Sequence, residues 1–153
     1  MSELTHLDAD GHARMVDVGS KPAVHRRAVA EGFLVAEPAT LDRITGTAGA
    51  EPLPKGEALA TARLAGVLAA KKTGELIPLC HPLPIDHTDV EFERVGPDRL
   101  RVAANASITA KTGVEMEALT AVSIALLTLY DMAKAIDKQM RFDGVRLVSK
   151  EKR

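Results

Sequence analysis

Apolar and polar side chains alternate in four stretches of the chain, and this spacing predicts β-strands. The stretches are, in order, residues 26–36, 90–92, 100–108 and 142–147. The middle two are joined around Gly96, Pro97 and Asp98, which predicts a β-hairpin. Asp143 followed by Gly144 predicts a bulge in the last strand.

Helical spacing occupies much of the chain between these strands. A proline at position 38 followed by Leu41 and Ile44 predicts a short helix that ends at Gly46. A second helix is predicted over residues 56–72, and Gly74 is expected to stop it. Small residues form a stripe on one face of this helix, where a neighbouring element can approach closely: Ala58, Ala62, Ala65 and Ala69.

The longest predicted helix spans residues 111–134. It contains no Asp, Glu, Lys or Arg from Ala118 to Leu129, while charged residues occur at both of its ends. A helix that is apolar around its whole circumference has to be covered on nearly all sides. We therefore expect a central core helix whose chemistry, if it has any, lies at its two ends.

The order strand, helix, helix, hairpin, helix, strand predicts an α+β fold of the ferredoxin-like type. Such a fold has a four-stranded antiparallel sheet with helices packed on one face, here with one extra short helix. Residues 1–22 show no sustained period and are predicted to be an irregular N-terminal segment. Residues 23–153 are predicted to form a single α+β domain, which is the catalytic domain if the protein is an enzyme. Three prolines between residues 78 and 84 predict an extended, stiff segment.

Composition and charge narrow the classes of function. Twenty basic and 21 acidic side chains leave a net charge of -1, which argues against a surface built for nucleic acid or for an anionic membrane. Cys80 is the single cysteine, so no internal disulfide can form. The chain shows no charged-then-apolar leader and no confident membrane span. These features predict a cytoplasmic protein.

Several residues could carry chemistry. Asp131 and Lys134 are three positions apart on the long helix, which suits a proton-transfer pair, although residue type and spacing alone favour a surface ion pair. Glu115 and Glu117 lie in its first turn, where capping explains one of the two acids. Lys55 precedes a helix and could bind phosphate, but no standard nucleotide-binding motif surrounds it.

The Cys80-His81 pair is a weaker candidate for a thiol nucleophile and its base. Adjacent residues in an extended segment point to opposite sides, so their side chains are not expected to act on each other. A zinc site is not predicted, because neither His81 nor His87 has a partner at ligand spacing. His81 is either held towards a pocket by the flanking prolines or is simply a histidine in a turn.

Three stretches together resemble the cyclic pyranopterin monophosphate synthase family, also called molybdenum cofactor biosynthesis protein C. They are LIPLCHPL at residues 76–83, KTGVEMEALT at residues 111–120 and YDMAKA at residues 130–135. Shorter matches are LTH at residues 4–6, MVDV at residues 15–18, Lys21, Arg26, Lys55-Gly56 and ATAR at residues 60–63. The resemblance covers nearly the whole chain.

This resemblance implies a lyase of the phosphorus–oxygen type. The implied substrate is a GTP-derived cyclic intermediate, 3′,8-cyclo-7,8-dihydro-GTP, made by an upstream radical enzyme, and the implied products are cyclic pyranopterin monophosphate and pyrophosphate. The implied catalytic residues are Asp131 as acid/base, Lys134 as its partner, Lys55 and His81. The implied substrate-binding residues are Leu79, Cys80, His81, Glu115, Met116, Glu117, Arg26 and Lys150. No metal or cofactor is implied, and the implied assembly is a hexamer built as a trimer of dimers.

The length of the long helix adds a geometric expectation. Glu115 and Asp131 are 16 positions apart, which is about 24 Å along a helix. One subunit cannot bring both to one small ligand, so we expect the site to straddle a two-fold dimer, with each end supplied by a different subunit. Two other functions stay open from the residues alone: a ferredoxin-like RNA-binding module and a ligand-binding module without catalysis.

Overall fold

The computed structural model describes residues 5–153, which form four strands and four helices. In chain order these are β1 (Val24–Val35), α1 (Pro38–Thr45), α2 (Ala58–Lys71), α3 (Thr73–Leu76), β2 (His87–Gly96), β3 (Arg99–Ala110), α4 (Glu115–Ala133) and β4 (Arg141–Lys152). The first four residues of the predicted N-terminal segment lie outside the described range. Described residues 5–22 contain no helix and one isolated β-bridge, between Leu7 and Ala13.

The strands form one antiparallel sheet in the order β2-β3-β1-β4. This order and the helices packed on the sheet confirm the predicted ferredoxin-like α+β fold. Strand β1 lies at the centre, and its Ala28, Ala30 and Leu34 are at most 1% exposed. Leu34 lies opposite Leu100 of β3, which is equally buried. The predicted alternation in these two strands therefore marks the face on which the helices pack.

Helix α4 is the central helix of the fold. It packs on α2, β1 and β3, and nine of its 19 residues are buried. By length and hydropathy alone it would pass for a membrane span, but 56% of its apolar window is buried inside the protein. Within one chain, α4 keeps one exposed side. An exposed stripe runs along it, formed by Met116, Ser123, Leu127, Asp131 and Lys134.

Helix α2 approaches α4 closely through its small residues. Ala58, Ala62 and Ala69 are buried as predicted, but Gly66 takes the place in the stripe that was predicted for Ala65. A Cβ atom added to Gly66 would lie 3.0 Å from the Ala121 carbonyl oxygen. The close contact between the two helices thus depends on the missing side chain.

The connection after α2 differs from its prediction. Gly74 does not lie in a loop just after α2 but inside the short helix α3. A Cβ atom added to it would be 2.7 Å from the Cα atom of Pro82. The segment that begins at Leu76 is not extended throughout, because the Cys80 N–H donates to the Ile77 carbonyl and closes a turn. The prolines exclude a regular helix here but permit this turn.

Strand β4 is longer than predicted and forms one edge of the sheet. It continues past Leu147 to Lys152, and every one of its residues is exposed. Its apolar side chains Phe142, Val145 and Leu147 are 36–44% exposed. The predicted irregularity is present, because the pairing with β1 shifts register next to Asp143 and Gly144 has a φ of 57°.

Candidate active site

Three predicted catalytic residues meet at the C-terminal end of α4. One carboxylate oxygen of Asp131 lies 2.9 Å from Lys134 Nζ, and the other lies 2.7 Å from Lys55 Nζ. The spacing of three positions on a helix turns Asp131 and Lys134 towards each other. Lys55 reaches the same carboxylate from the loop before α2. All three side chains are about half exposed, so the group is open to a ligand.

The charges of this group follow from its contacts. Hydrogen bonds from Lys55 and then Lys134 lower the pKa of Asp131 to about 2. The same contact with Asp131 raises the pKa of Lys134. In the single chain the pairing thus moves the pKa of Lys134 away from neutrality. At neutral pH the group holds two ammonium ions and one carboxylate, and its net positive charge suits an anionic ligand.

A pocket of about 360 Å³ lies at the other end of α4. Its walls come from three segments: residues 77–83, residues 112–116 and the N-terminal residues 5–21. Five predicted substrate-binding residues line it: Leu79, Cys80, His81, Glu115 and Met116. Pockets of this size hold small molecules.

Glu117 lies buried behind this pocket. Its residue exposure is 2%, and Cys80 Sγ donates a long hydrogen bond to its Oε1 at 3.9 Å. Its Oε2 is buried and has no hydrogen-bond partner among the described residues. Burial raises the pKa of the Glu117 carboxyl, and burial followed by the Glu117 charge raises the pKa of the Cys80 thiol. Cys80 is therefore not an activated thiolate.

Cys80 and His81 have separate side-chain partners, as expected. Whereas Cys80 faces Glu117, the His81 ring contacts the N-terminal segment, with Nε2 2.6 Å from the Val16 carbonyl oxygen. The sequence argument reached this result for the wrong reason, because Cys80 lies in a turn. The described contacts contain no thiol–imidazole pair.

Glu115 forms an ion pair with β4. Its Oε1 lies 2.9 Å from Lys150 Nζ, and both residues line a second groove of about 310 Å³ together with Arg26. Burial alone would raise the pKa of Glu115, but the hydrogen bond from Lys150, a backbone hydrogen bond and the charges of Lys150 and Arg26 together outweigh it and lower that pKa. Arg26 is held in place by hydrogen bonds to the carbonyls of Ala110 and Lys111. The predicted cap on α4 is absent, since the N-cap residue is Val114 and no side chain caps it.

The single chain thus places the predicted residues in two groups at opposite ends of α4. Asp131, Lys134 and Lys55 form one group, and the remaining predicted residues form the other. Sequence reasoning did not assign His6 and Lys21, which also line the pocket, or Lys111, whose Nζ donates to the Gly19 carbonyl at 2.7 Å. The segment of His6 and Lys21 has no periodic pattern and was marked only by the short family matches at residues 4–6, at residues 15–18 and at Lys21, whereas Lys111 begins the longer match at residues 111–120.

An exposed acidic turn is the one described group of side chains with metal-ligand spacing. The ligand atoms of Asp8, Asp10 and His12 lie within 4.8 Å of one another. One oxygen of Asp8 already accepts hydrogen bonds from the N–H groups of Asp10 and His12 at 2.9 Å. These hydrogen bonds stabilise a turn, and the turn explains why the three side chains lie close together.

Comparisons with known proteins identify one family. The model of the MoaC family matches residues 15–153. The cyclic pyranopterin monophosphate synthase of Novosphingobium aromaticivorans is 56% identical over 98% of this chain and 92% of its own. The synthase of the same name from Chloroflexus aggregans is 53% identical over 98% of this chain and 89% of its own. Cyclic pyranopterin monophosphate synthase 3 of Mycobacterium bovis is 55% identical over 96% of this chain and 81% of its own.

Proposed function

Because this chain belongs to the MoaC family, we propose that it forms cyclic pyranopterin monophosphate, the product after which its relatives are named. It is an enzyme of molybdenum cofactor biosynthesis that acts on a small-molecule substrate. The substrate in this proposal is the GTP-derived cyclic intermediate 3′,8-cyclo-7,8-dihydro-GTP, supplied by an upstream radical enzyme. Pyrophosphate is released, which makes the enzyme a phosphorus–oxygen lyase.

The observation that carries this proposal is the contact of Asp131 with two lysines. Lys55 and Lys134 present ammonium groups on either side of one carboxylate, at 2.7 and 2.9 Å. Such a group can bind the triphosphate of the substrate and stabilise the charge that develops when pyrophosphate leaves. Asp131 and Lys134 then move protons as the purine five-membered ring opens and the pterin ring closes.

The pocket at the N-terminal end of α4 supplies the second half of the site. Its polar groups include the Glu115 carboxyl and the backbone around Cys80, which suit a ring with several N–H groups, and the buried Glu117 carboxyl contacts Cys80. Arg26 and Lys150 add positive charge beside Glu115. These residues are assigned to substrate binding rather than to proton transfer.

A second subunit brings the two halves together in this proposal. The halves are about 24 Å apart on one helix, and the stripe between them is exposed, with Leu127 at 54%. A two-fold dimer that covers this stripe places the Asp131 end of one subunit beside the Glu115 end of the other. Three such dimers form the proposed hexamer, and the proposed location is the cytoplasm.

Turnover of the cyclised nucleotide tests the function directly. The purified protein is incubated with the product of the upstream radical enzyme, and cyclic pyranopterin monophosphate and pyrophosphate are followed by mass spectrometry. Lys134→Met is expected to lower kcat by roughly 10²-fold or more, the usual range for a proton-transfer group. Lys71→Met is the matched control, because Lys71 is exposed on α2 and makes no side-chain hydrogen bond within described residues 5–153. Full turnover by correctly folded Lys134→Met would contradict the proton-transfer assignment.

The same experiment separates this enzyme from the alternatives left open by the residues. A ligand-binding module would bind the nucleotide and leave it unchanged, and an RNA-binding module would not bind it. The family assignment favours the enzyme over both.

A further inference from the structure

The N-terminal residues 5–21, called here the strap, supply five of the residues that line the pocket: Thr5, His6, Val16, Val18 and Lys21. Residues 6–14 of the strap form a small hairpin, in which the Arg14 N–H donates to the His6 carbonyl at 2.8 Å. Residues 15–18 then run along the pocket, where Val16 and Val18 are half-buried while Met15 and Asp17 are exposed. The alternation shows which side of the strap faces the protein.

Two side chains from outside the strap hold it. His81 Nε2 lies 2.6 Å from the Val16 carbonyl oxygen, and Lys111 Nζ donates to the Gly19 carbonyl at 2.7 Å. A carbonyl oxygen only accepts, so the His81 contact requires a proton on Nε2. That proton is shared with the strap and is not free for a ligand.

The strap adds two polar side chains to the pocket. His6 and Lys21 line it together with Glu115 and Met116. Apart from Lys21 of the strap, the charged side chain that lines the pocket is Glu115, which is paired with Lys150. Lys21 therefore adds a positive charge that an anionic ligand can use.

We propose that the strap is a wall of the substrate pocket, that His81 and Lys111 are positioning residues which hold it, and that His6 and Lys21 contact the ligand. The ligand class is a purine- or pterin-like ring that carries phosphate. This inference rests on the proposed function for the identity of the ligand, but the tethering of the strap does not depend on it. His81 then acts through Val16 rather than as a catalytic acid or base.

Lys111→Met tests the tether in the full-length protein. Arg14 is the strap's one ordinary tryptic site, because Lys21 is followed by Pro22. Losing a charged hydrogen bond that holds a segment is expected to speed trypsin cleavage after Arg14 about tenfold. The cleavage is followed by mass spectrometry of the intact protein. Cys80, the single cysteine of the chain, lines the same pocket. Its alkylation is expected to be faster in Lys111→Met as well. Lys71→Met is the control. Unchanged cleavage and alkylation in Lys111→Met would overturn the tether.

Two substitutions of His81 separate positioning from catalysis. Glutamine keeps a side-chain N–H that can donate to the Val16 carbonyl, whereas leucine has none. His81→Leu is expected to raise KM and to speed cleavage after Arg14, and His81→Gln is expected to recover both. A loss of kcat of about 10²-fold or more in both variants, with the cleavage rate unchanged, would instead identify an acid–base residue.

Failure of this inference and failure of the proposed function give different results. If Lys111→Met loosens the strap but leaves KM for the cyclised nucleotide unchanged, the strap is not part of the site and the proposed function stands. If the wild-type protein does not convert the nucleotide at all, the proposed function fails, while the cleavage experiment still decides whether the tether exists. Lys21→Met is expected to raise KM without changing cleavage, and an unchanged KM would overturn its assignment to the ligand.

Discussion

Mixing two inactive variants tests whether one site is shared between two subunits. Asp131→Ala removes the carboxylate that pairs with Lys55 and Lys134, and Glu115→Ala removes the carboxylate at the other end of α4. The two positions are about 24 Å apart on one straight helix. Each variant alone is expected to lose activity, because every site in its homodimer lacks one of the two groups.

The expected recovery follows from counting sites. Random exchange gives one half mixed dimers, and each mixed dimer has two sites. In one of these sites both substituted ends meet, and in the other both wild-type ends meet. Roughly one quarter of all sites are then intact, so the mixture is expected to reach about 25% of the wild-type rate, and a purified mixed dimer about 50%.

A second mixture serves as the control. Asp131→Ala and Lys134→Met alter the same end of α4, so their mixed dimers contain no intact site and are expected to stay inactive. The variants carry different affinity tags, and doubly tagged oligomers are isolated before formation of cyclic pyranopterin monophosphate is measured by mass spectrometry. Doubly tagged oligomers of Asp131→Ala and Glu115→Ala without activity would refute the shared site.

Three further predictions concern stability and are measured by thermal unfolding. Gly66→Ala is expected to lower stability by about 1–3 kcal/mol, because the new Cβ would be 3.0 Å from the Ala121 carbonyl oxygen; an unchanged midpoint would contradict the close packing. Asp137→Ala is expected to cost about 1 kcal/mol, or about 3 °C, because Asp137 accepts the Glu37 N–H at the start of α1. Burial raises the pKa of the Glu117 carboxyl above its usual value of 4.5. The ionised carboxylate therefore lowers stability at neutral pH, and this cost is absent below pH 4.5, where the carboxyl is protonated. Glu117→Gln is therefore expected to raise the midpoint by about 3 °C at pH 7.5 and to have little effect near pH 4; equal shifts at both pH values would contradict this.

Elements with a buried face were predictable from spacing, and exposed or very short elements were not. The second half of β4 was missed because Ser149, Lys150 and Glu151 carry no apolar alternation. This edge strand owes its order to pairing with β1, in which Arg26 lies opposite Lys152. Helix α3 was missed because four residues show no period. It depends on contacts beyond its own sequence, such as Gly74 against Pro82.

The candidate site shows the same division between local and distant information. The contact of Asp131 with Lys134 follows from a spacing of three on a helix. Lys55 reaches that carboxylate from 76 residues away along the chain, and no local pattern encodes such a contact. Its position before a helix indicated only phosphate binding, and its assignment as a catalytic residue came from the family resemblance. The tether of His81 to Val16 spans 65 residues, and neither spacing nor resemblance predicted it.

The exposure of the Asp131 group connects its pKa values with the proposed dimer. In the single chain Asp131, Lys134 and Lys55 are about half exposed, and the pKa of Lys134 is raised. A lysine with a raised pKa releases its proton poorly at neutral pH. When a second subunit covers the stripe that includes Leu127, water is removed from around the group, and burial disfavours each unbalanced charge. One carboxylate balances only one of the two ammonium ions, so we expect desolvation in the proposed dimer to counteract the raised pKa of Lys134. In this proposal, assembly makes the proton of Lys134 easier to remove than it is in the single chain.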